Sequence, residues 1–199
     1  MLSAFRTVPT GENWIRFPYY HHVYQDERAR FARQLSYLRN LGEFVSIDDA
    51  VSLLESSAPL DGRYFCITFD DGFRSCLDGA VPVLVDHGAP AAFFVPTQFI
   101  GTSIRDDAEL IRSFYPHGRI LVEFLGWDDC RQMAAAGMTI GSHTVTHARL
   151  ADLSADQVEH ELRRSKQVIE QQMGVPCEHF AVPLGRAGIH FLPDRDPAG

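Results

Sequence analysis

The chain has 199 residues, 45% hydrophobic and 11% aromatic, enough to bury one sizeable core but short for two, so a single domain over 1–199 is expected. Its 18 basic residues against 26 acidic ones leave a net charge of -8, which argues against a nucleic-acid or anionic-membrane partner, since both need a basic face. No apolar run is long enough to span a bilayer, and the N-terminal MLSAFRTVPTGENW lacks the apolar core of a secretory signal, so a soluble, cytoplasmic protein is expected.

Residues 14–23 (WIRFPYYHHV) read as a strand ending in paired histidines. Phe31, Leu35, Leu38 and Leu41 then recur at helical spacing, with Gly42 where a helix would stop. Residues 44–47 read as a short strand, and Ser46 or Asp48 caps a helix carrying Ala50, Leu53 and Leu54. After a turn at Pro59, Asp61 and Gly62, residues 64–69 (YFCITF) form a run typical of a strand buried on both faces, and it stops at Asp70, Asp71 and Gly72. Residues 80–86 read as a helix ended by Gly88, and 91–95 (AAFFV) as another buried strand.

Residues 101–126, with Pro116 and a short helical pattern, read as an excursion between core elements and a candidate substrate-facing loop. A helix over 128–136 closes at Gly137, and 138–140 is a short strand that turns polar at once. Ser154 caps a long helix through Met173, ended by Gly174 and Pro176, and 180–182 is a last short strand. Buried strands alternating with helices imply a parallel sheet or a (β/α) barrel, in which the C-terminal strand ends share one face. The four cysteines (Cys66, Cys76, Cys130, Cys177) show no CxxC or metal-finger spacing and read as buried free thiols.

Three clusters sit at strand ends. In TFDDG, adjacent carboxylates Asp70 and Asp71 repel unless a cation offsets them, and Gly72 lets the chain turn so that both face one pocket. In SHTVTH, His143 and His147 share a face if a helical turn follows the strand. Two imidazoles plus a carboxylate suit Zn²⁺ and leave a position open for water. In FAVPLG, Pro183 fixes the chain and Gly185 permits close backbone approach to a ligand, a loop end able to offer an N–H to an oxyanion. Alone, DDG caps helices and a histidine pair decorates surfaces; together, at strand ends, they favour a metal site.

TFDDG, SHTVTH and FAVPLG, in that order, resemble the first three motifs of the polysaccharide deacetylases, the carbohydrate esterases of family four built on the NodB-homology domain. YHHV, QLSYLRNLG and GWDDCRQMAAAGMTIGSH resemble its framework too, extending the likeness over roughly 18–186. The resemblance implies a distorted (β/α) barrel, incomplete at the C-terminus, that removes N-acetyl groups from an N-acetylated saccharide. It implies Asp70 as base, Asp71, His143 and His147 as ligands of a divalent metal, Zn²⁺ first, and a Leu184 backbone N–H for the oxyanion. His21, Pro183 and Leu184 are the expected substrate contacts.

Three departures stand out. Ala181 occupies a position where many members carry arginine, Leu184 one where many carry an aromatic. The family's later motifs, the last of which supplies the catalytic acid, have no match before Gly199. A poor catalyst prone to self-association is therefore expected, with His21 or His22 as the substitute acid. The rival expectations are a non-catalytic metal- and sugar-binding relative and an amidase acting on a small non-sugar substrate. His87, His117, His160, His179 and His190 lack a motif and read as surface or hydrogen-bonding residues.

Overall fold

A computed structural model describes residues 13–115 and 121–196; the N-terminal leader, Pro116 and His117 lie outside the described residues. The strand expected over 14–23 is two pieces, β1 (Trp14–Arg16) and β2 (Tyr19–Tyr20), broken at Phe17 and Pro18 because proline has no N–H to give to a ladder. Helix α1 (Arg28–Arg39) buries Phe31 and Leu35, and short strand β3 (Glu43–Phe44) follows. Helix α2 (Ile47–Glu55) is capped by Ser46, whose Oγ accepts the Asp49 N–H at 3.0 Å.

The buried run over 64–69 is likewise divided, at Cys66, into β4 (Arg63–Phe65) and β5 (Ile67–Phe69). Pairing nevertheless runs on through both breaks: the Cys66 N–H donates to the Arg16 carbonyl at 2.9 Å and the Thr68 N–H to the Pro18 carbonyl at 3.1 Å. Helices α3 (Ser75–Gly79) and α4 (Val81–Asp86) lead to β6 (Ala91–Val95). Gly79 has a steric reason, because a Cβ there would stand 1.7 Å from the Val23 carbonyl oxygen, so glycine lets α3 press against the chain just after the paired histidines.

The excursion contains α5 (Ala108–Phe114), and its Ile111 and Phe124 are buried with Phe73 and Phe99 of the flanking chain in a small separate core. These aromatic residues pack on one another across the chain, a pattern that neither helical nor strand periodicity reveals. Helix α6 (Trp127–Ala135), β7 (Thr139–Ser142) and the long α7 (Ala155–Met173) complete the elements, α7 ending at Gly174 in left-handed conformation with φ 73°. The strand expected over 180–182 shrinks to one bridge between Phe180 and Ser142.

Among the described residues the named strands all pair in parallel, in the orders β1-β4-β3 and β2-β5-β6-β7. Phe69 of β5 stacks on Phe93 of β6 with centroids 4.5 Å apart, in a core that also includes Leu35, Ile67, Leu84 and Met133. All four cysteines are buried and unpaired, as expected. Among the described residues no helix is long and apolar enough to cross a membrane. Parallel strands end on one side, so His21, Asp70 and His143, each the residue after a strand, arrive at a common face.

Candidate metal centre and active-site cleft

A cleft of about 1120 Å³ opens at those strand ends, with Asp70, Asp71, His21, His143, His147 and Leu184 among its lining residues. Asp71 adopts φ 71° and Gly72 φ 65°, so the chain leaves β5 through two left-handed residues, a conformation that aspartate tolerates better than most side chains. This sharp exit turns two consecutive carboxylates into one cleft. It is held on its far side by the excursion, whose Leu125 N–H donates to the Gly72 carbonyl at 2.9 Å.

The histidine pair converges by a route other than a helical turn. Residues 143–147 form an irregular loop in which Thr144 (φ 67°) and His147 (φ 58°) are left-handed, and this bend brings the two imidazoles to 5.0 Å between centroids. Asp71, His143 and His147 each offer one ligand atom, all within 4.8 Å of one another. Asp71 Oδ1 lies 3.2 Å from His147 Nε2 and 3.5 Å from His143 Nε2, yet this buried oxygen has no hydrogen-bond partner.

The local chemistry explains the apparent contradiction. His143 Nδ1 is 2.8 Å from the Ala181 carbonyl, which can only accept, so Nδ1 carries a proton, and in the ligand-ready tautomer this leaves the Nε2 lone pair aimed at Asp71. Two acceptors then face each other, an arrangement that a cation between them would satisfy. Tetrahedral coordination with bonds near 2.1 Å separates donors by about 3.4 Å, close to the two spacings seen. The residues fit a single divalent ion. Ala181, where many family members carry arginine, thus contributes through its backbone.

Burial would raise the Asp71 carboxyl, but hydrogen bonds and charge from the two imidazoles, in the form in which Nε2 carries a proton, override it and hold the group below the ordinary carboxylate range; a cation in the proton's place would act in the same direction. Asp70 behaves oppositely: burial pushes its carboxyl up, against the pull of His143 and His21. The neighbouring acids are therefore shifted in opposite directions.

The paired histidines also separate. His21 is exposed in the cleft with Nε2 3.9 Å from Asp71 Oδ2. His22 also lines the cleft but is anchored, packing 4.1 Å from the Phe73 ring and bonding Ser75 Oγ through Nδ1 at 2.9 Å, and burial lowers its pKa. Leu184 lines the cleft with φ 65°, a conformation rare for a leucine, whereas Pro183 is buried outside the lining and shapes the turn without facing the cleft. Of the histidines without a motif, His87 bonds the Val83 carbonyl at 2.8 Å and His179 pairs with Asp48 at 2.6 Å.

Four lining residues escape the sequence reading: Tyr19, Phe114, Tyr115 and Arg149. Phe114 lies 4.7 Å from the His147 ring, and burial drives the Tyr115 hydroxyl up to about 12. Their only linear signal is an aromatic pair inside the excursion.

Fold and site together define a parallel α/β protein whose strand-end cleft is floored by a carboxylate and two imidazoles able to share one metal ion. Residues 57–192 match the family model for polysaccharide deacetylase, and the chain belongs to that family. It is 26% identical over 173 residues to the Bacillus subtilis (strain 168) protein YxkH, covering 86% of this chain and 55% of that protein. It is 28% identical over 110 residues to a chitooligosaccharide deacetylase of Rhizobium leguminosarum bv. trifolii, covering 55% of this chain and 40% of the relative. The chain thus spans about half the length of these relatives. Among solved structures, IcaB from Ammonifex degensii shares the fold, with TM-score 0.74, 24% identity, and coverage of 90% of this chain and 78% of that one.

Proposed function

We propose that this chain removes N-acetyl groups from an N-acetylated sugar or polysaccharide by metal-dependent hydrolysis, releasing acetate and a free amine. The observation that carries the reading is the buried, unsatisfied Asp71 Oδ1 facing two imidazole nitrogens. Zn²⁺ suits one carboxylate with two imidazoles. Family membership and the named activity of the Rhizobium relative support the substrate class.

The chemistry that a bound divalent ion supplies is Lewis acidity, toward an acetyl oxygen and toward water. Asp70, pushed up by burial, accepts the proton from the attacking water. The Leu184 backbone N–H, at the cleft wall, supports the oxyanion as the tetrahedral centre forms. The leaving amine must then be protonated; His21 and His22 both line the cleft, and His21 is the one whose side chain is largely exposed there, whereas His22 is tied to Ser75 and Phe73.

The deciding experiment measures metal content and acetate release on N-acetylglucosamine oligomers, with linear and cyclic amides alongside. About one ion per chain and turnover of the sugars support the proposal. Metal uptake without turnover is the behaviour of a non-catalytic relative, and a preference for the amides moves the substrate class. In the same assay His21→Ala should lower kcat about 100-fold or more, the scale of a lost proton donor. His22→Ala should cost mainly stability, since its ring leaves a stack; equal kcat losses in both would mean that the proton comes from elsewhere.

A further inference from the structure

The loop between the two histidines has an accounting problem. Its backbone is irregular and left-handed at two residues, so it cannot satisfy its own polar groups, and an unpaired buried N–H or C=O is costly. The carbonyls are met from the β6 side: the Thr97 N–H donates to Thr144 at 3.1 Å and the Gln98 N–H to Val145 at 2.9 Å. The His143 N–H donates to the Val95 carbonyl and the Thr144 N–H to Ser142 Oγ, while the next two, of Val145 and Thr146, are met from α7 by one residue, Glu161, which is buried at 7% exposure.

Glu161 Oε2 accepts the Val145 N–H at 2.8 Å and the Thr146 N–H at 2.9 Å, while Oε1 accepts the Thr146 hydroxyl at 2.9 Å. One turn along the same helix face, buried Ser165 bonds Ser142 Oγ through its own Oγ at 2.7 Å. Helix α7 thus grips the chain immediately before His143 and again between His143 and His147. Carboxylates are rarely buried, and this one ends in three donors that all belong to the loop.

We infer that Glu161, seconded by Ser165, is a positioning residue for the metal centre: its carboxylate holds the 143–147 loop in the bend that aims both imidazoles at Asp71. The inference rests on the metal reading above. Without this acceptor the two N–H groups must find water, the left-handed residues relax, and the two ring nitrogens lose their common focus.

The test reads Zn²⁺ affinity by competition with a chromophoric chelator, and the visible spectrum of the Co²⁺-loaded protein, in purified folded chain. Glu161→Ala should bind Zn²⁺ about 10- to 100-fold more weakly, the loss typical of groups that orient a metal ligand, with an altered Co²⁺ spectrum. Glu161→Gln, which keeps one acceptor and the side-chain shape, should recover most of the affinity. If Glu161→Ala does not fold, Glu161→Asp is read in its place, because the shorter arm keeps the charge but cannot reach both amides. Leu35→Ala, a core truncation in α1, should lower thermal stability and leave Zn²⁺ affinity unchanged. Parent-like affinity and spectrum in Glu161→Ala or Glu161→Asp, or an equal loss of affinity in Leu35→Ala, overturns the inference. A parent chain that takes up no Zn²⁺ overturns the metal reading and this one with it; a parent that binds normally confines the failure to Glu161.

Discussion

Truncating either His143 or His147 to alanine should weaken divalent-metal binding by more than about 100-fold, beyond the loss expected for a residue that only orients a ligand. The chain offers three protein ligands, and losing one leaves a two-ligand site that the solvent easily strips. The effect should be visible in stability as well as in metal content. Zn²⁺ at about 100 times its dissociation constant stabilises a folded state by about 2.7 kcal/mol, and in a chain of this size that raises Tm by about 5–10 °C. Differential scanning calorimetry with and without Zn²⁺ should show this rise in the parent chain and neither variant. A metal-dependent rise that survives both substitutions would remove the imidazoles from the site.

The two variants should differ without metal. His143 is 2% exposed and donates through Nδ1 to the Ala181 carbonyl, so its loss opens a cavity and leaves that acceptor unpaired. His147 is half-buried against Phe114, and its loss vacates space at the cleft wall. His143→Ala should accordingly be the less stable apo protein, a difference that urea unfolding measures directly.

What is legible in the sequence follows from how local each cause is. Buried parallel strands such as AAFFV and ITF announce themselves because both faces are covered, and the abrupt change to DDG or SHT marks where the sheet ends. The long α7 is visible at both ends, through the Ser154 cap and Gly174. The strand breaks at Pro18 and Cys66 are less visible, since the pairing continues across them and only its geometry changes. The histidine pair illustrates the limit. Its four-residue spacing reads as one helical face, but the loop instead bends through left-handed Thr144 and His147, supported by a carboxylate sixteen residues away from Val145. No local window contains that partner. The aromatic wall of the cleft is hidden for the same reason: Phe114 and Tyr115 reach it only because Phe73, Phe99 and Phe124 fold the excursion back.

Asp70→Asn should leave Zn²⁺ binding within a few-fold of the parent chain while lowering kcat by about 100- to 10,000-fold, the range for removing a positioned general base. The two adjacent carboxylates are set apart by geometry before any chemistry. Asp71 turns through φ 71° and places Oδ1 against both imidazoles, while Asp70, whose N–H donates to the Tyr20 carbonyl at 2.9 Å, still follows the ladder and lines the cleft beside the cluster. Asparagine at position 70 retains the shape but cannot accept a proton at neutral pH, so substrate affinity should persist as turnover falls. Burial raises the Asp70 pKa in the apo chain, which means that the carboxylate form needed by a base disappears at a higher pH than an exposed aspartate would allow. Metal titration and steady-state kinetics on the same preparation test the assignment together. If Asp70→Asn loses the metal while Asp71→Asn keeps it, the two carboxylates exchange roles; if Asp70→Asn keeps both metal and turnover, the base is another group in the cleft.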